Sequence, residues 1–172
     1  RECFNGAPGP SFLEIPRDVL DAKVDLSKAR IPQAGHYRAS TKLSADPIDI
    51  QRLADLLVKA ERPCVLFGTQ TWTCRASDTA REFARTLNIP AYMNGSGRGT
   101  FPPGDPHHFH RTRRMAFNQA DVIVIVGTPF DFRMGYGRRL GSEATVVQID
   151  MDYRTVGKNR DISFGLVGDI GQ

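Results

Sequence analysis

The chain has 172 residues, of which 40% are hydrophobic and 24% charged, and its formal net charge is +4. Such a length suits one domain with a flanking segment, and the composition excludes a disordered chain. Its apolar runs are far shorter than the ~20 residues of a membrane span, and no secretory signal is visible. Because three cysteines are too few for a disulfide framework or a zinc site, we expect a cytoplasmic protein.

The first forty-five residues differ in pattern from the rest. An apolar stretch between Gly9 and Pro16 predicts a short buried strand that Pro16 ends. Residues 17–45 have scattered charge and no sustained period, which is typical of a connector. We therefore expect the end of one domain over 1–16, a connector over 17–45 and a compact domain over 46–172.

Strands and helices alternate in the compact domain. Asp46-Pro47 predicts a capped helix start, and a shorter helix is expected over 111–118. Two amphipathic helices are indicated by apolar stripes: Ile50, Leu53, Ala54 and Leu57, then Ala80, Phe83, Ala84 and Leu87. Short apolar runs predict strands at 64–67, 91–93, 122–126, 146–149 and 164–167. Because these strands are apolar on both faces, the predicted fold class is α/β, a Rossmann-like parallel sheet with helices on both faces.

Glycine, asparagine or aspartate follows every predicted strand. Ligands of open α/β sheets bind along this carboxyl edge, where glycines let phosphates approach the backbone. Gly68 introduces no G-x-G-x-x-G fingerprint, and a plain strand-to-helix turn is the alternative. Asn94-Gly95 begins a glycine-rich stretch that is either a nucleotide wall or a flexible surface loop. Asp150 suits a ribose hydroxyl pair, with a turn carboxylate as the alternative.

The stretch 127–137 is the most informative one. Arg133 is a candidate for bidentate contact with a diphosphate, and Gly135 would permit close approach. The alternative is a surface turn held by Asp131 and Arg133, with Phe132 and Tyr136 packed beneath it.

A local charge excess surrounds this stretch. From Arg98 to Arg139 there are seven basic and three acidic residues, while the rest of the chain is neutral. A local excess in a glycine-rich region favours a phosphate-bearing small ligand over nucleic acid. We expect no metal site at His107, His108 and His110, because no Cys, Asp or Glu is suitably spaced. No nucleophile–base constellation is present either, so we expect no catalytic residue in this chain.

Six segments, in order, resemble the central region of thiamine-diphosphate-dependent enzymes of the acetolactate synthase type. They are Gly-Pro-Ser-Phe-Leu-Glu-Ile-Pro-Arg-Asp-Val at 9–19, Glu-Arg-Pro-Cys-Val-Leu-Phe-Gly at 61–68, Ala-Asp-Val-Ile-Val-Ile-Val-Gly-Thr-Pro at 120–129, Asp-Phe-Arg-Met-Gly-Tyr-Gly at 131–137, Gln-Ile-Asp-Met-Asp at 148–152 and Val-Gly-Asp at 167–169. The run at 131–137 resembles the branch that holds benzaldehyde lyase and the 2-hydroxyacyl-CoA lyases.

The resemblance implies a DHS-like NAD/FAD-binding fold, preceded by the end of a pyrimidine-binding domain over 1–16. It implies an enzyme that decarboxylates a 2-keto acid and joins the remaining acyl unit to a second carbonyl. That enzyme would use thiamine diphosphate and Mg²⁺, whose sites lie in other domains, so this chain alone is expected to be inactive. A homodimer or homotetramer is expected, with a nucleotide cofactor and a small 2-keto acid as partners, and without nucleic acid or membrane.

The resemblance also implies FAD or ADP in this domain. The corresponding lining residues are Arg38, Gly68, Thr69, Gln70, Asn94, Gly95, Gly127, Thr128, Arg133, Gly135, Asp150, Met151 and Asp169. Arg38, in the connector, matches an arginine that helps to hold the diphosphate in relatives. Thr69-Gln70 departs from the glycine-rich loop that is usual in flavin-binding members, and these side chains are expected to crowd the pyrophosphate.

Three alternatives stay open. The first is a 2-hydroxyacyl-CoA lyase or an oxalyl-CoA decarboxylase, with an ADP or CoA site that the basic stretch faces. The second is a nucleotide-binding module outside any such enzyme, for example a flavoprotein or sirtuin-like domain. In the third, the site is vestigial and the domain only spaces and assembles subunits.

Overall fold

The computed structural model describes residues 3, 4 and 6–172, and it divides the chain into two compact units, Arg1–Thr41 and Lys42–Gln172. Arg1, Glu2 and Asn5, from the predicted end of a preceding domain, lie outside the described residues. Within the described part of the chain, no helix combines the length and apolarity that crossing a membrane requires. The same residues contain no cluster of three His, Cys, Asp or Glu side chains suited to a metal ion.

The first unit has little regular structure. It contains the short helix α1 (Arg17–Leu20) and a single 3₁₀ turn, Leu26–Lys28. The predicted strand between Gly9 and Pro16 is wrong: the segment belongs to no strand, and Phe12 and Leu13 are 89% and 80% exposed. A strand needs backbone partners to form a ladder, and the three large apolar residues of this segment cannot bury one another without a sheet.

The second unit begins at Lys42, a few residues before the predicted domain start. The Lys42 ammonium lies 3.1 Å from Asp169 Oδ1, and the backbone N–H of Asp169 donates to Leu43 O at 2.8 Å. Asp46 caps the following helix as predicted, since its Oδ1 accepts the N–H of Ile48 at 2.8 Å. The assignment of 1–16 to another domain and of 17–45 to a connector stays a prediction.

A five-stranded, fully parallel sheet forms the centre of the second unit. Its strands are β1 (Pro63–Phe67), β2 (Ala91–Met93), β3 (Val122–Val126), β4 (Thr145–Asp150) and β5 (Phe164–Val167). Their spatial order is β2-β1-β3-β4-β5, which makes the gap between β1 and β3 the point where the strand order reverses. The predicted parallel α/β sheet is confirmed.

Helices cover both faces of this sheet. The helices of the second unit are α2 (Pro47–Lys59), α3 (Thr69–Thr73), α4 (Ser77–Leu87) and α5 (Arg113–Gln119). Helices α2 and α4 pack on the face that carries Val65 and Val124, whereas α5 packs through Phe117 on the face that carries Leu66 and Ile125. Alternate residues of one strand thus enter two separate cores, which explains why the strands are apolar throughout.

The apolar stripe of α2 is rotated from the predicted one. Leu53 and Leu57 are buried as expected, but Ile50 and Ala54 are exposed and Leu56 packs against the core instead. The larger leucine side chain removes more apolar surface from water than Ala54 would, so the helix turns that side inward. In α4 the predicted stripe is correct, with Ala80 and Ala84 buried.

Helix α3 was not predicted. It occupies five residues directly after β1, and three of them are β-branched threonines, which have low helix propensity. A single turn of helix is also too short to show a period. Its position, immediately beyond Gly68, brings it to the carboxyl edge of the sheet.

Candidate functional site

The carboxyl ends of β1 and β3 approach each other very closely. The N–H of Gly68, after β1, donates to Val126 O of β3 at 2.7 Å; on the other side of β3, the N–H of Gly127 donates to Ile149 O of β4 at 2.8 Å. A Cβ atom on Gly68 would lie 2.5 Å from Gly127 O and would overlap the side chain of Thr128. Glycine is required at position 68 because the two strand ends leave no room for a side chain, not because the space is open to a ligand.

Helix α3 enters the crevice at this reversal point. The Gln70 N–H donates to Gly127 O at 3.1 Å. Gly127 has a φ of +62°, and a Cβ atom there would lie 2.6 Å from Gln70 Cβ. The cradle that a glycine usually offers to a phosphate is therefore filled by the chain itself.

The side chain of Gln70 closes the crevice towards β4. Its Nε2 donates to Asp150 Oδ1 at 2.7 Å, and its Oε1 accepts the N–H of Met151 at 2.9 Å. Asp150 is fully buried, and its Oδ1 also accepts the N–H of Asp152 at 2.8 Å. The other oxygen, Oδ2, has no hydrogen-bond partner among the described residues. That oxygen is a free acceptor of the kind that suits a hydroxyl donor.

Asn94 and Gly95 form the opposite wall of the crevice. Asn94 is buried, its Nδ2 lies 3.4 Å from Thr128 Oγ1, and its Oδ1 accepts the N–H of Gly95 at 2.9 Å. The Thr69 hydroxyl accepts the N–H of Ser96 at 3.3 Å. A side chain on Gly95 would overlap that hydroxyl, so Thr69 fills this second glycine cradle as Gln70 fills the first.

Arg133 lies beside this wall, in a 3₁₀ segment over Phe132–Gly137. Asp131 begins the segment, because its carboxylate accepts the Arg133 N–H at 2.9 Å and lies 3.1 Å from the Arg133 guanidinium. The predicted surface turn is therefore present, but Phe132 and Tyr136 are exposed rather than packed beneath it. Arg133 Nη1 comes within 3.7 Å of the point where a Gly95 Cβ would lie.

The remaining predicted residues have other surroundings. Met151 places its sulfur 3.0 Å from the sulfur of Cys74, so it packs against α3. Asp169 Oδ1 accepts from Lys42 and from the N–H of Gly171, which makes it an anchor for the start of the unit. Gly135 packs under the side chain of Arg139. Arg38 belongs to the unit Arg1–Thr41, where its guanidinium lies 4.9 Å from the centroid of the Phe4 ring.

One buried polar residue escaped the sequence analysis. Gln148 is fully buried; its Nε2 donates to Thr128 O at 3.3 Å and its Oε1 accepts the N–H of Gly157 at 2.9 Å. It ties the loops after β3 and β4 together, and a glutamine inside an otherwise apolar strand was the available signal.

The crevice does not fit the pyrophosphate of FAD or ADP. Asp150 Oδ2 suits a ribose hydroxyl, but Thr69 and Gln70 occupy the glycine cradles that a diphosphate would need. Thr69 and Gln70 lie against the glycines of this edge, and the expected crowding of a pyrophosphate there stays a prediction.

Comparison with known proteins identifies the family. The family model described as thiamine pyrophosphate enzyme, central domain, matches residues 50–172. The chain belongs to this family. The resemblance noted from the ordered segments is thereby confirmed.

Its curated relatives are enzymes of several kinds. The 2-hydroxyacyl-CoA lyase 2 of Bos taurus is 30% identical over 97% of this chain and 32% of that protein. The probable acetolactate synthase large subunit of Methanocaldococcus jannaschii is 30% identical over 95% of this chain and 29% of the protein. The oxalyl-CoA decarboxylase of Escherichia coli is 27% identical over 99% of this chain and 30% of that protein. The chain thus spans about a third of the length of these relatives.

Solved structures share the fold. A putative thiamin diphosphate-dependent enzyme from Mycobacterium smegmatis matches with a TM-score of 0.65 and 22% identity, covering 78% of this chain and 27% of that one. Benzoylformate decarboxylase from Polynucleobacter necessarius matches with a TM-score of 0.65 and 21% identity, and the match covers 83% of this chain and 29% of that one. These matches support the Rossmann-like architecture.

Proposed function

We propose that this domain serves a thiamine-diphosphate-dependent enzyme that acts on an acyl-CoA thioester, in the manner of a 2-hydroxyacyl-CoA lyase or an oxalyl-CoA decarboxylase. The observation that carries the proposal is the similarity to CoA enzymes, the 2-hydroxyacyl-CoA lyase 2 of Bos taurus and the oxalyl-CoA decarboxylase of Escherichia coli. The contacts of Gln70 and Thr69 at the carboxyl edge add support against the FAD that the resemblance to acetolactate synthases implies. Thiamine diphosphate would supply the carbanion stabilisation from other domains.

The role proposed for the domain itself is to space and assemble subunits of a homodimer or homotetramer. Its carboxyl edge is cross-linked by its own side chains, from Gln70 to Asp150 and from Asn94 to Thr128. A rigid edge of this kind suits a spacer better than a site that must open for a cofactor.

Acetolactate synthesis from pyruvate is the second candidate. It is favoured by the archaeal relative, whose printed name is an acetolactate synthase and which matches this chain at the same 30% identity as the bovine lyase. In this candidate the enzyme would release CO₂ from one 2-keto acid and join the acyl unit to a second.

Ligand titration tests the crevice. We expect neither FAD nor ADP to bind in a way that depends on Asp150, by calorimetry of the wild-type chain and of Asp150→Asn. Flavin binding that Asp150→Asn abolishes would overturn the closed crevice and would favour the synthase candidate. Glu143→Gln, an exposed carboxylate elsewhere in the unit, serves as the charge-matched control.

Substrate assays separate the two reactions. An enzyme containing this domain, supplied with Mg²⁺ and thiamine diphosphate, should cleave a 2-hydroxyacyl-CoA or decarboxylate oxalyl-CoA. It should form no acetolactate from pyruvate. Acetolactate formation without any turnover of CoA thioesters contradicts the proposal.

A further inference from the structure

A second concave surface lies between α5 and the 3₁₀ segment Phe132–Gly137. This cleft has a volume of about 560 Å³. Its lining residues are Arg113, Arg114, Phe117, Asn118, Arg133, Met134, Arg138 and Arg139. We call it the arginine cleft, because five of its eight lining residues are arginines.

The positive charge of the arginine cleft is mostly unneutralised. Asp131 pairs with Arg133 at 3.1 Å. Among the described residues, no carboxylate lies within salt-bridge distance of the other four arginines of the cleft. Partial burial lowers the pKa of Arg113, and the nearby charges of Arg139 and Arg98 lower it further. Like charges held this close together repel one another, and a polyanion in the cleft would relieve the repulsion.

The backbone is shaped to hold these side chains in place. Gly135 and Tyr136 have φ values of +57° and +55°, so the chain turns sharply before Arg138 and Arg139. A Cβ atom on Gly135 would lie 3.0 Å from Arg139 Nε and 3.2 Å from its Cγ. The absence of a side chain at Gly135 is what lets the Arg139 side chain lie across the turn.

Arg160 fixes the loop that carries Arg138 and Arg139. Its Nη1 donates to Gly137 O at 2.7 Å, and its Nη2 donates to Gly141 O at 3.1 Å. The N–H of Gly141 in turn donates to Phe117 O, in α5, at 2.9 Å. Both walls of the cleft are therefore connected by hydrogen bonds, so the backbone that carries the arginines is fixed.

We propose that the arginine cleft binds the phosphate groups of a diphosphate-containing ligand. Guanidinium groups match phosphate oxygens through pairs of parallel hydrogen bonds, and several converging arginines select a multiply charged anion over a single carboxylate. The cleft does not use the carboxylate of Asp150, and its ligand need not be a substrate. The inference therefore does not depend on the proposed reaction.

Calorimetry with inorganic diphosphate at about 0.1 M salt tests the cleft. We expect Arg139→Gln to weaken binding about tenfold, because it removes charge-assisted hydrogen bonds. Lys158→Gln removes one exposed positive charge outside the cleft and should change the dissociation constant for diphosphate by less than about twofold. Gln70→Ala should also leave the affinity for diphosphate unchanged, which would show that the ligand binds in the cleft and not in the crevice. No binding, or equal losses in Arg139→Gln and Lys158→Gln, overturns the proposal.

The source of the phosphates is resolved by two further ligands. If the cleft receives the nucleotide part of a CoA thioester, coenzyme A should bind more tightly than ADP, and Arg139→Gln should weaken both. If it receives a free nucleotide, ADP and coenzyme A should bind alike with the same sensitivity to Arg139→Gln. Binding of either ligand that is insensitive to Arg139→Gln and Arg113→Gln counts against the cleft.

Discussion

Gln70 joins Asp150 across the carboxyl edge of the sheet, with Nε2 donating to Oδ1 at 2.7 Å although 80 residues separate them in the chain. The same side chain accepts the N–H of Met151 at 2.9 Å. One glutamine thereby satisfies groups from β4 and from the loop after it.

The Gln70 side chain should contribute measurably to stability. We expect Gln70→Ala to lower the free energy of unfolding by about 1–3 kcal/mol, because a buried carboxylate loses one of its two donors. Urea denaturation followed by circular dichroism measures the change. Gln51→Ala is the matched control, since Gln51 makes an exposed hydrogen bond to Asp55 at 2.8 Å within α2 and should cost less than about 0.5 kcal/mol. Equal costs for both variants would contradict the structural role of Gln70.

Replacing Gly127 by alanine should destabilise the fold more than the same change at Gly99, a glycine with free space around it. Gly127→Ala meets a left-handed φ of +62° and places Cβ 2.6 Å from Gln70 Cβ. Gly99→Ala meets a left-handed φ of +93° but has nothing within 4 Å. Both variants place alanine at a positive φ, so we attribute most of the difference between them to the steric overlap, and we expect that difference to be about 1–3 kcal/mol in thermal or urea unfolding. A Gly99→Ala variant as unstable as Gly127→Ala would show that no overlap occurs.

Asp121 should make stability depend on acid pH. Burial raises the pKa of its carboxyl group, but the backbone N–H groups of Glu61 and Arg62, at 2.6 and 3.0 Å, outweigh it and hold the pKa below its usual value. Its contribution is therefore present above the unfolded pKa of about 4 and is lost as pH falls through the lower, folded pKa.

Asp121→Asn removes this dependence. We expect it to cost about 1 kcal/mol at pH 7, since an amide offers one acceptor oxygen where the carboxylate offers two. The cost should shrink as the pH is lowered below about 4, measured as urea midpoints across pH. Glu143→Gln should leave the midpoint unchanged at every pH, and a cost of Asp121→Asn that grows in acid would be inconsistent with this account.

The three thiols should differ in reactivity. Burial raises the pKa of Cys64 to about 12, with a smaller contribution from Asp121, and burial also raises the pKa of Cys74. Cys3 is only partly buried. Because the thiolate is the nucleophile, we expect an aromatic disulfide reagent at pH 8 to label Cys3 rapidly and the other two only on unfolding. Cys3→Ser should abolish the fast phase, and fast labelling of Cys64 in the native chain would refute the prediction.

Local sequence patterns were sufficient to predict the strands of the sheet but not the contacts at its carboxyl edge. The apolar runs at Val122–Val126 and Phe164–Val167 are strands with the predicted bounds. All five residues of Val122–Val126 are buried, and a strand buried on both faces leaves a continuous apolar signal. The strand between Gly9 and Pro16 failed since a strand also needs neighbours, which a local pattern does not report.

The candidate site shows the same limit. The residues named at the carboxyl edge do converge there in part, as with Gln70, Asp150 and Met151, because all parallel strands end at one side of the sheet. That Gln70 fills the crevice depends on a contact between residues 80 positions apart, which no window of sequence contains. The charge excess between Arg98 and Arg139 was visible by counting, whereas the arrangement of five of its seven arginines around one cleft depends on the fold, including the turn at Gly135.

Helix α3 acts towards the crevice as a tethered competitor. The chain holds the Gln70 side chain next to the crevice, so its effective concentration there is high and constant. A free nucleotide would have to compete with this attached side chain. A molecule able to bind only when α3 is displaced would show its intrinsic affinity reduced by the fraction of chains in that displaced state. Substitutions at Gln70 would then tune affinity without touching the molecule that binds.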